Sequence, residues 1–120
     1  MTVALDHIQL AVPAGGEAAA RAFYGDLLVL REVDKPTGLA GRGGFWFVLS
    51  DGIGFHLGVD AAFRPATKAH PALRIAAFEI VLTRLEKAGH VIERGTDPFG
   101  RTRAYSVDPF GNRLELLQAA

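Results

Sequence analysis

The chain has no cysteine. That excludes disulfides, a thiolate nucleophile and thiolate metal ligands at once. Neither sign of charge is in excess: 13 Lys and Arg balance 13 Asp and Glu. A nucleic acid or an anionic bilayer needs a basic face, so neither is expected as a partner. Ten of the 13 cations are arginine, but they are scattered and form no run. No apolar run approaches the about 20 residues that a membrane-spanning helix requires. The N-terminus shows no charged segment followed by an apolar one of the kind that directs secretion. These absences give the expectation of a cytoplasmic domain. A Ser-His-Asp nucleophile set and a dinucleotide fingerprint are also missing. The glycine-rich Gly41-Arg42-Gly43-Gly44 has no helix after it and reads as a turn rather than a phosphate loop.

What is present is globular. Apolar residues make up 49% of the chain and charged ones 22%, and 120 residues suit one domain, 1–120, with a single core. Residues 3–12 alternate, with Ile8, Leu10 and Val12 on one parity and His7 and Gln9 on the other, which predicts a strand packed on one face. Pro13 and Gly15-Gly16 break it. An Ala-rich helix is predicted from Glu17 to about Leu28, with Ala19, Ala20, Phe23 and Leu27 as its apolar stripe. Three strands follow, near 30–34, 43–50 and 54–59. In the run Phe45-Trp46-Phe47, one parity packs the core and the other is free to line a pocket.

The order then repeats. A strand is predicted near 70–76, then a helix near 78–88 with Phe78, Val81, Leu82, Leu85 and Ala88 on one side, closed by Gly89 as a left-handed cap. Strands near 91–94, 102–108 and 113–118 complete the chain. The reading is an α+β fold of two tandem βαβββ modules, about 1–60 and about 70–120. A linker of about 61–69 joins them, and Arg64 and Lys68 in it read as solvated. Two such modules can curl into an open, cupped eight-stranded barrel.

The repeat brings four side chains into matching places. His7 and His70 lie 63 residues apart, His56 and Glu115 lie 59 apart, and all four sit on the parity opposite the apolar one. Taken singly, each is an ordinary polar residue on a strand face. Their shared placement makes them candidate metal ligands. Tyr105, before the Asp108-Pro109-Phe110-Gly111-Asn112 turn, taken alone reads as a packing residue on the penultimate strand.

Several stretches together resemble the vicinal oxygen chelate superfamily, which includes glyoxalase I, extradiol dioxygenases, thiol transferases and bleomycin-resistance proteins. They are Leu5-Asp6-His7-Ile8, Ala22-Phe23-Tyr24-Gly25-Asp26-Leu27-Leu28, His70-Pro71-Ala72-Leu73 and the run from Tyr105 to Glu115. The resemblance covers essentially the whole chain. It implies one divalent metal ion (Fe, Mn, Ni, Co or Zn) that chelates two adjacent oxygens of a small-molecule substrate. It maps His7, His70 and Glu115 as ligands, and places His56 as a fourth ligand or an acid/base. It gives Tyr105 a substrate-contacting role. An extradiol-like dioxygenase is the preferred subclass. A glyoxalase-like lyase or isomerase, a thiol transferase and a metal-free binding protein of the bleomycin-resistance type are the alternatives. A chain of this length resembles the dimeric members, which implies a homodimer.

The chain departs from the pattern at three points. His56 stands where glyoxalase I carries a glutamate. The histidine that precedes the tyrosine in the extradiol signature is replaced by Thr96, Asp97 and Pro98. Val29 stands where members carry a glycine after the first helix. A β-branched residue resists the left-handed conformation, so that helix is expected to end differently.

Overall fold

The computed structural model describes residues 1–119, apart from the side chains of Ala40 and Arg42. The chain divides into two compact units, Met1–Arg64 and Pro65–Ala120. Each carries one open four-stranded sheet, in the α+β class expected. Among the described residues no helix is long and apolar enough to cross a membrane.

The first unit runs β1 (His7–Val12), α1 (Glu17–Ala20) continued by a π-helical segment (Arg21–Leu27), β2 (Arg31–Val33), a 3₁₀ turn (Thr37–Arg42), β3 (Phe45–Val48) and β4 (Gly54–Val59). Its sheet order is β1-β4-β3-β2, with β1 parallel to β4 and the other pairs antiparallel. Alternation sends Leu10, Val12, Phe45, Phe47, Phe55 and Leu57 to one face, where they are buried. Ala20, Phe23 and Tyr24 of the helix are buried with them, and the Tyr24 ring lies 5.4 Å from that of Phe55 and 6.4 Å from that of Phe47.

The second unit runs β5 (Ala72–Ile75), α2 (Phe78–Lys87), β6 (Glu93–Thr96), β7 (Thr102–Val107) and β8 (Arg113–Gln118). The order β5-β8-β7-β6 repeats the first sheet, with β5 parallel to β8. Phe78, Val81, Leu82 and Leu85 of α2 are buried, as are Ala104, Leu114 and Leu116 of the strands.

The structure differs from the sequence expectations at the element ends. The first strand begins at His7 rather than residue 3: Met1 to Asp6 are exposed, and the ladder opens with the Gly54 N–H donating to the Asp6 carbonyl. The fifth strand begins at Ala72, which leaves His70 just before it, because Pro71 has no N–H to donate to a ladder. The sixth covers 93–96 rather than 91–94; the Val91 carbonyl is taken instead by the Ser106 hydroxyl at 2.9 Å. In the expected apolar stripe of the first helix, Ala19 is exposed and the buried aromatic pair is Phe23 and Tyr24.

The two helix ends can be compared directly. At the end of α2, Gly89 is left-handed (φ 91°), the His90 N–H donates to Leu85 and the Gly89 N–H to Glu86, the paired bonds of a Schellman cap. The first helix was expected to end otherwise because of Val29, and that expectation is corrected. Val29 itself takes the left-handed conformation (φ 60°), and the Leu30 N–H reaches back to the Tyr24 carbonyl. The π-helical winding widens the closing loop by one residue and leaves the left-handed residue in place.

Candidate functional site

On the face of each sheet away from its buried core, the register places the candidate residues in rows. In the first unit Gln9 and Trp46 flank His56 on neighbouring strands, and His7 lies beside Gly54. The His56 ring stacks on Trp46 at 4.0 Å with 3° between planes, and His7 stacks beside His56 at 4.7 Å and 21°. Glycine makes this possible. A Cβ at Gly54 would stand 2.8 Å from His56 Nε2 and 2.9 Å from His7 Cβ, so the two imidazoles cover ground that no other residue leaves free. Gly58 does the same for Gln9, whose Nε2 would meet a Cβ at 2.7 Å.

His7 is exposed, and its Nδ1 lies 2.7 Å from Asp6 Oδ1. A carboxylate on Nδ1 fixes the ring and leaves Nε2 as the free nitrogen, the arrangement that orients metal-binding histidines. His56 is half-buried. Burial first, and then the neighbouring His7, push its pKa below the usual histidine value, while Asp6 pulls weakly the other way. It is therefore a neutral imidazole near pH 7, able to accept a proton.

In the second unit Ala72 and Tyr105 flank Glu115, and Glu93 flanks Tyr105. Glu115 is only 12% exposed. His70 Nε2 lies 3.0 Å from Glu115 Oε1, and His70 Nδ1 lies 2.9 Å from the Lys68 carbonyl. Arg103 Nη1 approaches the other Glu115 oxygen at 3.7 Å. The Tyr105 ring meets His70 edge-on at 5.7 Å, and the guanidinium carbons of Arg113 and Arg103 stand 4.1 Å and 4.8 Å from its centroid.

The His70 contacts carry chemical information. Both ring nitrogens face oxygen acceptors, so a single proton cannot satisfy both. When Nδ1–H donates to the Lys68 carbonyl, the Nε2 lone pair points at a carboxylate oxygen. That gap is closed by a second proton, giving an imidazolium, or by a cation that takes both lone pairs. An imidazole nitrogen held from behind by a carbonyl, converging with a carboxylate oxygen, is a donor pair suited to a divalent transition metal. Within neither unit do three His, Asp or Glu side chains among the described residues gather as a complete metal-binding group.

The structure thus brings His7 together with His56, and brings His70, Glu115 and Tyr105 together. Sequence reasoning missed Trp46 as the stacking partner of His56, and it missed Arg103 and Arg113 around Tyr105. Register was the available signal. Trp46 and Tyr105 occupy the same place in the repeat, directly across from His56 and Glu115.

No protein-family model matches the chain, nor does any curated protein sequence. Solved structures do. A glyoxalase family protein from Bacillus anthracis is 37% identical with a TM-score of 0.90, over 100% of this chain and 98% of that one. The oxidase ChaP-H2 is 25% identical over 100% of this chain and 96% of its own, with a TM-score of 0.73. A glyoxalase/dioxygenase from Nostoc punctiforme shares the fold at a TM-score of 0.78 and 24% identity, over 98% of this chain and 91% of that one.

Proposed function

The chain belongs to the glyoxalase/bleomycin-resistance/dioxygenase superfamily, and from that premise we propose that it is a divalent-metal-dependent enzyme acting on a small molecule with two adjacent oxygens. The reaction class we propose is extradiol-like dioxygenation of a catecholic compound, in line with the dioxygenase and oxidase among its structural neighbours. The observation that carries the reading is the convergence of His70 Nε2 and Glu115 Oε1 at 3.0 Å, with His70 Nδ1 against the Lys68 carbonyl.

His70 and Glu115 would hold the metal, with His7 as the third ligand that the family resemblance names. When bound, the ion supplies Lewis-acid stabilisation of the anion on the chelated oxygens and, if redox-active, a site for dioxygen. His56, neutral through burial, accepts a proton from the substrate hydroxyl. Tyr105, in the row beside Glu115, orients the substrate. Arg103 stands 3.7 Å from the second Glu115 oxygen and holds that side of the carboxylate in place. A homodimer is the assembly we propose.

The test is elemental analysis of protein purified anaerobically without chelator or metal-binding tag, beside Glu115→Ala and His70→Ala. Bound Fe or Mn near one equivalent per chain, lost in both variants, together with catechol-dependent oxygen uptake, is the expected result. Stoichiometric Ni, Co or Zn without oxygen uptake would move the chemistry to lyase or thiol transfer. The Arg103 contact, which together with His70 can neutralise Glu115 from within the protein, favours one second reading, a metal-free small-molecule binder. Absence of metal after reconstitution would put that reading first.

A further inference from the structure

The second unit contains a recess of about 230 Å³ where the chain leading into β6 leaves β7, walled by Thr67, Val91, Glu93, Tyr105, Val107 and Arg113. Val91 and Val107 are exposed and present apolar surface. The charged groups on the wall are Arg113 and Glu93, and neither forms an ion pair with a described residue.

Arg113 is the unusual member. It is half-buried, it is the first residue of β8, and its guanidinium lies over Tyr105 at 4.1 Å. Stacking fixes the plane of a guanidinium without using its N–H donors. Arg103 shares the same ring but spends its charge on Glu115 at 3.7 Å. Arg113 has no such counterpart among the described residues, although a cation drawn partly out of water is costly unless it is paired. A guanidinium set over an aromatic ring at 4.1 Å and lining a recess is placed to meet a carboxylate, which its fork can engage with two parallel hydrogen bonds.

We propose that this recess is a carboxylate subsite, in which Arg113 binds the acid group of a small aromatic or apolar monocarboxylate whose body rests on Val91 and Val107. Glu93, the cross-strand neighbour of Tyr105, sets the limit at one acid group, because a second would face its carboxylate. The recess wall includes neither His70 nor Glu115, so the subsite stands on Arg113 and its neighbours alone. The subsite does not rest on the function proposed above.

Benzoate and benzamide separate the two ideas, since neither carries the vicinal hydroxyls that a metal would chelate. Their binding to the whole protein is measured by NMR titration or calorimetry, with chelator present and again without it. Benzoate is expected to bind at least about tenfold more tightly than benzamide, as one charge-assisted bidentate contact predicts. Arg113→Gln should remove that preference while leaving benzamide binding unchanged. Arg113→Lys should restore it only in part, because it returns the charge without the fork. Equal binding of the two probes by the wild-type protein, no binding of either, or a preference that survives in Arg113→Gln would overturn the subsite. The wild-type comparison decides even if a variant fails to fold. A preference for benzoate that is the same with and without chelator would leave the subsite standing whether or not the metal reading survives its own test.

Discussion

In the first unit Trp46 faces His56 across β3 and β4, and in the second Tyr105 faces Glu115 across β7 and β8. Gln9 and Ala72 complete the rows, and Gly54 stands where the second unit has Arg113. The strand order and register are the same, so the chemistry on the two faces differs only through the side chains. Glycine at 54 lets His7 and His56 lie along the sheet as part of a stack of rings. Arginine at 113 rises from the same place, covers Tyr105 and contributes charge. A repeated fold therefore fixes where functional side chains stand, while the residue at one flanking position decides whether the face is aromatic or ionic.

The hairpins that present these rows show the same contrast. Leu49 and Ile53 close the β3–β4 turn through the Leu49 N–H and the Ile53 carbonyl; Asp108 and Asn112 close the β7–β8 turn through the equivalent bond. Gly52 and Gly111 take matching left-handed positions, with φ of 89° and 94°. The Asp108 carboxylate, however, accepts bonds from the Phe110 and Asn112 N–H groups and the Asn112 amide, and both Asp108 and Asn112 are buried. Replacing Asp108 by Ala should therefore cost about 3 kcal/mol, since it orphans several buried donors. Leu49→Ala, which removes only half-buried apolar surface, should cost about 1 kcal/mol. Urea unfolding of both variants measures the difference, and equal costs would break the distinction drawn between the two turns.

Much of this organisation is legible in the sequence. Alternation at Ile8, Leu10 and Val12, and the helical spacing of Phe78, Val81, Leu82, Leu85 and Ala88, record which face meets the core; of these Ile8 is half-buried, Ala88 at the helix end is exposed, and the rest are buried. The 63- and 59-residue spacings disclosed the repeat. What escaped has a common origin in hydrogen bonds and register, which composition does not encode. The Ser106 hydroxyl takes the Val91 carbonyl and shifts the start of β6. Pro71 delays β5 and sets His70 ahead of it. Asp51 looks in sequence like the counterpart of Asp108, yet the ladder gives that place to Leu49. The partners Trp46, Arg103 and Arg113 become visible only when residues are counted across strands rather than along them.

The helix ends offer a sharper form of the comparison, because the same backbone conformation is occupied by Val29 in one unit and Gly89 in the other. The left-handed conformation costs a residue with a Cβ about 1–2 kcal/mol. Part of that is offset because glycine loses more freedom on folding, by about 0.5–1 kcal/mol. Val29 is exposed at 63%, so little packing is lost on its removal. Val29→Gly should accordingly stabilise the protein by about 0.5–1 kcal/mol, and Gly89→Val should destabilise it by a similar amount. Nothing in the structure explains why valine is kept at position 29. Thermal melts of the two variants should move in opposite directions, and a loss of stability in Val29→Gly would show that the widened π-helical loop needs its valine.

The smallest expected effect concerns His56, whose counterpart in the second unit is a carboxylate. Burial and the neighbouring His7 lower the His56 pKa in the folded protein. As pH falls from about 6.5, the ordinary value for histidine, the unfolded chain takes up this proton before the folded one does. Stability is therefore unaffected by His56 above that pH, declines through the interval below it, and levels off once the folded state is also protonated. His56→Gln should flatten this part of the stability profile. Trp46 gives a local reading of the same event, because it is the only tryptophan and lies 4.0 Å from the His56 ring. Its emission should titrate with a midpoint below 6.5 in the wild-type protein, and that transition should disappear in His56→Gln. A midpoint above 6.5 would mean that Asp6 outweighs burial and His7 together, leaving His56 charged near pH 7 and unable to serve as the proton acceptor of the proposed reaction.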